Sequence, residues 1–189
     1  MEPSDEALCE RVARGEEAAF DLLVGRYQQR AWRLAWSMLH HVEDARDVCQ
    51  DAFVRVFQSA GTFRSQARFS TWFYRIVVNQ CIEHRRRGRP WLRFVPFAGR
   101  DDEAGDLLER QPAEAVDPIE GLDKEQAVKR MWAAIDGLSA RQRAAVVLYA
   151  QDELSTREIA SVLSCSEATV RVHLHRALAT LRRTMEKVE

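Results

Sequence analysis

The sequence predicts an all-α chain of two small helical domains, and three observations carry that prediction. Apolar residues recur at helical spacing in segment after segment, and no strand-type alternation of useful length interrupts them. Prolines 90, 96, 112 and 118 break the pattern between Arg89 and about Gly121, where acids also accumulate. From Leu154 to Arg183 the chain reads as two helices around a tight turn, a helix-turn-helix. The expected organisation is a first domain over 1–90, an acidic flexible linker over 91–122, and a second domain over 123–189 that ends in the helix-turn-helix.

Each element has its own signals. Ser4 can cap a short helix over Asp5–Arg14, and Gly15 ends it. A second helix is expected from Glu16 to about His40, with Phe20, Leu23, Val24, Tyr27, Ala31, Leu34, Ala35 and Met38 on one side. A third runs from Val42 to about Ala60, with Ala45, Val48, Ala52, Phe53, Val56 and Phe57 inward, and Gly61 stops it. After a loop from Thr62 to Phe69, a fourth extends from Ser70 to about Arg87, where Gly88 and Pro90 end it. Helices resume near Asp123 and run to Gly137, then from Ser139 to Gln151. In the helix-turn-helix, Ser155 and Glu158 have capping-box spacing, Ser164-Cys165-Ser166 interrupts, and Ser166 can cap the last helix. Val170, Leu174, Ala177, Leu178 and Leu181 are expected to face inward on that helix, while Arg171, His175 and Arg182 form another stripe with Arg176 beside it.

The net charge of −1 hides a segregation. Arginines dominate Arg64–Arg93, where Glu83 is the single acid, and acids dominate Asp101–Glu125. Charges sorted in this way imply separate surfaces for separate partners. The four cysteines, Cys9, Cys49, Cys81 and Cys165, lack CxxC spacing. They read as small buried thiols in helices rather than as a zinc site, and suit a reducing cytoplasm. The N-terminus has neither the basic nor the apolar region of a signal peptide, and no apolar run approaches the ~20 residues of a membrane span. The expectation is a cytoplasmic chain with no membrane insertion and no cofactor.

Three constellations bear on function. A helix that reads the major groove needs an apolar back and long donors in front, which Arg171, His175 and Arg176 supply. A plain amphipathic helix with a solvated basic face is the alternative. The second constellation, Phe63–Arg87, interleaves Phe63, Phe69, Trp72, Phe73 and Tyr74 with arginines. Unpaired bases stack on aromatic faces while arginines follow phosphates, and Asn79 offers both a donor and an acceptor to a base edge. At helical spacing, Phe69, Trp72, Phe73 and Ile76 equally suit a core. The third is VEDARDVCQDAF, Val42–Phe53, in which Asp44, Asp47 and Asp51, with Gln50, line one side of a helix. With no histidine or second acidic element joining them, these read as a docking face for a basic partner rather than as a metal site.

Together, DARDVCQDAF, FSTWFYRIVVNQCIEHRRR and LSARQRAAVVLYAQDELSTREIASVLSCSEATVRVHLHRALATLRR resemble the bacterial sigma factors of the extracytoplasmic function (ECF) group, the minimal form with only regions two and four. The resemblance covers nearly the whole chain. It implies a subunit that directs core RNA polymerase to specific promoters and assists melting, without being an enzyme itself. It further implies that Asp44, Asp47, Gln50 and Asp51 face the polymerase β′ clamp and that region four meets the β flap. The minus-ten element would be met by Arg64, Arg68, Ser70, Thr71, Trp72, Arg75 and Asn79, with Asn79 and the loop Arg64–Thr71 holding a flipped base. Ser166, Thr169, Arg171, His175 and Arg176 would meet the minus-thirty-five element. An anti-sigma factor is the implied antagonist, and the acidic linker would thread toward the polymerase active site and RNA exit channel. Val172, His173 and His175 depart from the residues common in the group, so the promoter sequence does not carry over, and the family pattern does not demand the apolar segment Trp91–Phe97. The other readings are a stand-alone helix-turn-helix regulator and a DNA-acting enzyme. The latter would need a nucleophile or a pocketed carboxylate set that the sequence does not offer.

Overall fold

The computed structural model describes residues 2–64, 68–87 and 124–186, with side chains from 130 to 184 in the last stretch. Among the described residues there are eight α-helices and no strand. They are α1 (Asp5–Ala13), α2 (Glu17–Leu39), α3 (Val42–Ser59), α4 (Phe69–Arg87), α5 (Lys124–Asp136), α6 (Ala140–Gln151), α7 (Thr156–Leu163) and α8 (Glu167–Glu186), with a 3₁₀ turn at Ala60–Thr62 after α3. The expected linker, with Trp91–Phe97, lies outside the described residues. The chain divides into two compact units, the first holding α1–α4 and the second centred on the C-terminal helices.

In the first unit, Ser4 Oγ accepts from the Ala7 amide at 3.2 Å and starts α1. Gly15, at φ +88°, turns the chain into α2, a backbone conformation that costs glycine nothing. His40 ends α2 in the left-handed region, and His41 Nδ1 caps α3 by accepting from Asp44 N at 3.3 Å. Helices α2, α3 and α4 pack on one another, and α1 lies against all three. Their core is Leu8, Leu23, Leu34, Met38, Val48, Val56, Phe69, Phe73, Val77 and Val78. Helix α3 ends at Ser59, close to the expected Ala60, and Gly61 lies in the 3₁₀ turn that follows. Phe57 is not inward as expected but 46 % exposed, with its ring edge-on to Phe20 at 5.2 Å. It sits one position past buried Val56, beyond the core stripe.

In the second unit, Ser139 and Gln142 form a reciprocal capping box at the start of α6. Helix α8 packs on α5 and α6, with Val170 and Ala177 buried. Leu178, expected inward, is 51 % exposed. It adjoins Ala177, about 100° round the helix, and falls outside the narrow buried stripe. Cys165 is not in a helix; it lies half-buried in the turn between α7 and α8, and Cys49 is also only half-buried, whereas Cys9 and Cys81 are buried as expected. Arg143 is 1 % exposed, its Nη2 donating to the Ile135 carbonyl at 2.7 Å beside Asp136 Oδ1 at 2.9 Å.

Candidate nucleic-acid and polymerase interfaces

The helix-turn-helix is wired by short-range bonds. Glu158 N donates to Ser155 Oγ at 3.3 Å, and Ser155 N donates to Glu158 Oε2 at 3.0 Å, closing the expected capping box. Ser164 adopts φ 54° and ends α7. Ser166 Oγ accepts from Thr169 N at 3.1 Å and lies 2.9 Å from Thr169 Oγ1, so these two residues build the start of α8. Glu167 Oε2 accepts from Thr156 Oγ1 at 3.2 Å and from Arg171 Nη2 at 3.4 Å, tying the two helices together and steadying the first arginine of the outward stripe. Arg171, His175, Arg176 and Arg182 are all exposed. Arg171 and His175 are one turn apart, about 6 Å along the axis. Arg182 lies three turns from Arg171, on a helix of the right diameter to enter a major groove.

In the first unit, α4 separates two jobs by angle. Phe69, Phe73 and Val77 are buried, while Trp72, Arg75 and Asn79 follow another stripe about 130° away. Asn79 is exposed, and Ser70, Thr71, Trp72 and Arg75 are half-buried. Phe63 places its ring 6.0 Å from Phe69 and 5.3 Å from Trp72. That contact folds the start of the loop back onto the first turn of α4, so exposed Arg64 and Arg68 bracket the same end of the helix as Ser70, Thr71 and Trp72. Phe69, Phe73 and Tyr74 serve the core, and the Tyr27 ring meets the first two at 5.1 Å edge-on and 4.8 Å tilted.

On α3, Asp47, Gln50 and Asp51 are exposed together, followed by Val54 one turn on. Asp44 is half-buried at the head of the same stripe, 3.4 Å from His84 Nε2. Among the described residues no group of three histidine, cysteine or acidic side chains is arranged to hold a metal, and no helix is long and apolar enough to cross a membrane.

Sequence reasoning missed Glu6. Its Oε1 accepts from Phe69 N at 3.0 Å, across 63 residues of chain, and so reaches the candidate DNA-facing end of α4. Next to it, Asp5 Oδ2 accepts from Tyr27 OH at 2.6 Å and Asp5 Oδ1 pairs with Arg26 at 2.6 Å. Burial, and then this bond to Asp5, push the Tyr27 hydroxyl well above the usual phenol range. The only sequence signal was the acidic first turn of α1, which every helix favours for its dipole.

Both parts of the chain are similar to known proteins. Residues 23–90 match the Sigma-70 region 2 family, and residues 129–181 match Sigma-70, region 4. The RNA polymerase sigma-H factor of Pseudomonas aeruginosa is 31% identical over 186 residues, covering 96% of this chain and 94% of that protein. The ECF RNA polymerase sigma-E factor of Escherichia coli K12 is 32% identical over 177 residues, covering 92% of this chain and 90% of that protein. Among solved structures, the sigma factor RpoE of Bartonella quintana, crystallised with the anti-sigma factor NepR, shares the fold with a TM-score of 0.62 at 21% identity, covering 88% of this chain and 96% of that one. With both sigma-70 regions in order and full-length relatives of this identity, the chain belongs to the ECF family of RNA polymerase sigma factors.

Proposed function

We propose that residues 1–90 act as region two, 91–122 as a linker and 123–189 as region four, and that the chain selects promoters for core RNA polymerase without catalysing a reaction of its own. The observation that carries this is the separation of an acidic stripe on α3 from an aromatic and arginine stripe on α4, with an outward basic stripe on α8. Asp44, Asp47, Gln50 and Asp51 dock on the β′ clamp, where an acidic helix face meets basic helices. Region four meets the β flap. Arg64, Arg68, Ser70, Thr71, Trp72, Arg75 and Asn79 engage the minus-ten strand as it unpairs, with phosphates on the arginines and bases on Trp72 and Asn79. At the minus-thirty-five element, Arg171, His175 and Arg176 reach base edges, and Ser166 and Thr169 face phosphate at the start of α8.

An anti-sigma factor is the proposed antagonist. Support comes from the fold shared with a sigma factor that was crystallised with one. Localisation in the cytoplasm follows from the same reading, since the polymerase is there.

The test is reconstitution. The purified chain is added to core polymerase, and promoters are selected from a random-sequence library. Specific initiation that requires both components is the expected result. Tight duplex binding without core, and no initiation with it, would instead identify a stand-alone regulator.

A further inference from the structure

Arg68 occupies the cap position of α4. Its carbonyl accepts the first bond of the helix from Trp72 N, at 3.3 Å. A cap normally brings a side-chain oxygen to the orphan amides of the first turn. Arginine has no acceptor, and its positive charge sits at the positive end of the helix dipole, where it is unfavourable. The missing acceptor comes from another helix, as Glu6 Oε1 takes the Phe69 amide at 3.0 Å. Helix α1 is in turn anchored beside that point by Asp5, which accepts from Tyr27 OH at 2.6 Å, while the Tyr27 ring meets Phe69 edge-on at 5.1 Å. Helix α1 lies outside both matched regions, which begin at residue 23 and residue 129.

We infer that Glu6 is a positioning residue for minus-ten recognition: it caps α4 from outside, which leaves the local cap position to a DNA-facing arginine. Ser70, Thr71 and Trp72 ride on the turn that this carboxylate holds. A serine or aspartate at position 68 would start the helix equally well but would place no cation beside the unpaired strand. Capping from α1 separates the two requirements, so the helix gets its acceptor from Glu6 and the DNA gets its donor from Arg68.

The inference rests on the minus-ten reading proposed above, and the experiment separates the two. Holoenzyme is formed with the full-length chain carrying Glu6→Ala, Glu6→Gln or Glu6→Asp. Open-complex formation is then measured on a library-selected promoter and on variants substituted at each minus-ten base. For Glu6→Ala the expected result is about a tenfold loss of opening, the size of one charge-assisted hydrogen bond. The ratio between the selected promoter and its minus-ten variants should also flatten, with core affinity unchanged. Glu6→Gln keeps an acceptor and should restore most of the ratio. Glu6→Asp keeps the charge but draws it back from Phe69, and should flatten the ratio in part even if Glu6→Ala fails to fold. A uniform loss on every promoter with an unchanged ratio, or wild-type behaviour of both the alanine and aspartate variants, overturns the inference. If the unaltered protein is itself indifferent to minus-ten substitutions, the underlying reading fails instead.

Discussion

Asp44 Oδ2 lies 3.4 Å from His84 Nε2, so the first turn of α3 is joined to the last turn of α4 and the two helices run antiparallel. The first carboxylate of the acidic stripe is thus shared with the fold, while Asp47 and Asp51 project freely into solvent. Asp47→Arg should therefore weaken core polymerase binding by about tenfold or more, an effect of reversed charge at a complementary interface. Asp44→Ala should cost less binding and up to about 1 kcal/mol of stability, the range for exposed ion pairs. Titration of labelled chain with core, alongside urea unfolding, reads both; equal binding losses would move the docking edge toward the start of α3.

Arg171→Ala tests the recognition helix. Loss of a bidentate contact to guanine should cost about 1–3 kcal/mol at one upstream base pair and relax preference there. Competition between the selected promoter and single-base variants measures it. An equal loss on all of them would make Arg171 a phosphate contact.

Tyr27→Phe isolates one polar bond in the first unit. The ring contacts to Phe69 and Phe73 survive, while Asp5 loses a donor and keeps Arg26. A hydrogen bond to a charged group predicts a loss of about 1.5–3 kcal/mol. A shift in the urea midpoint with unchanged slope checks it.

Two thiols, buried Cys9 and half-buried Cys49, give the fold an alkaline edge. Burial first, then Glu10 and Glu6, push Cys9 up to about 11, and burial pushes Cys49 up to about 11. In the unfolded chain both titrate from the ordinary value of 9.0. Between these values the unfolded state releases protons that the folded state keeps. Stability therefore falls as pH rises from 9 toward 11, and the two thiols contribute no slope at neutral pH. Urea unfolding across that window should fall more steeply for the native chain than for a variant with alanine at both positions.

What could be read in the sequence was local. Ser4, Ser155 and Ser166 cap the helices expected of them, because a cap and its amide are only three residues apart. The aromatic split on α4 was visible as two spacings that competed for the same residues, and burial assigned Phe69 and Phe73 to the core. Phe57 and Leu178 were misplaced because periodicity gives the direction of an apolar stripe but not its width. Glu6 was invisible because its amide is 63 positions away, and only the packing of α1 on α4 brings them together.

The turn between α7 and α8 has a consequence for how such chains diverge. Ser155 and Glu158 fix the start of α7, and Ser164 and Ser166 hold the turn after it by backbone angle and bond. Val170 and Ala177 seat the helix behind it. His175 and Arg182 are exposed, outside the buried stripe that seats the helix. Mutation can rewrite these outward letters one at a time while the scaffold refolds unchanged, so a duplicated gene can drift to a new set of promoters without first passing through an unstable protein.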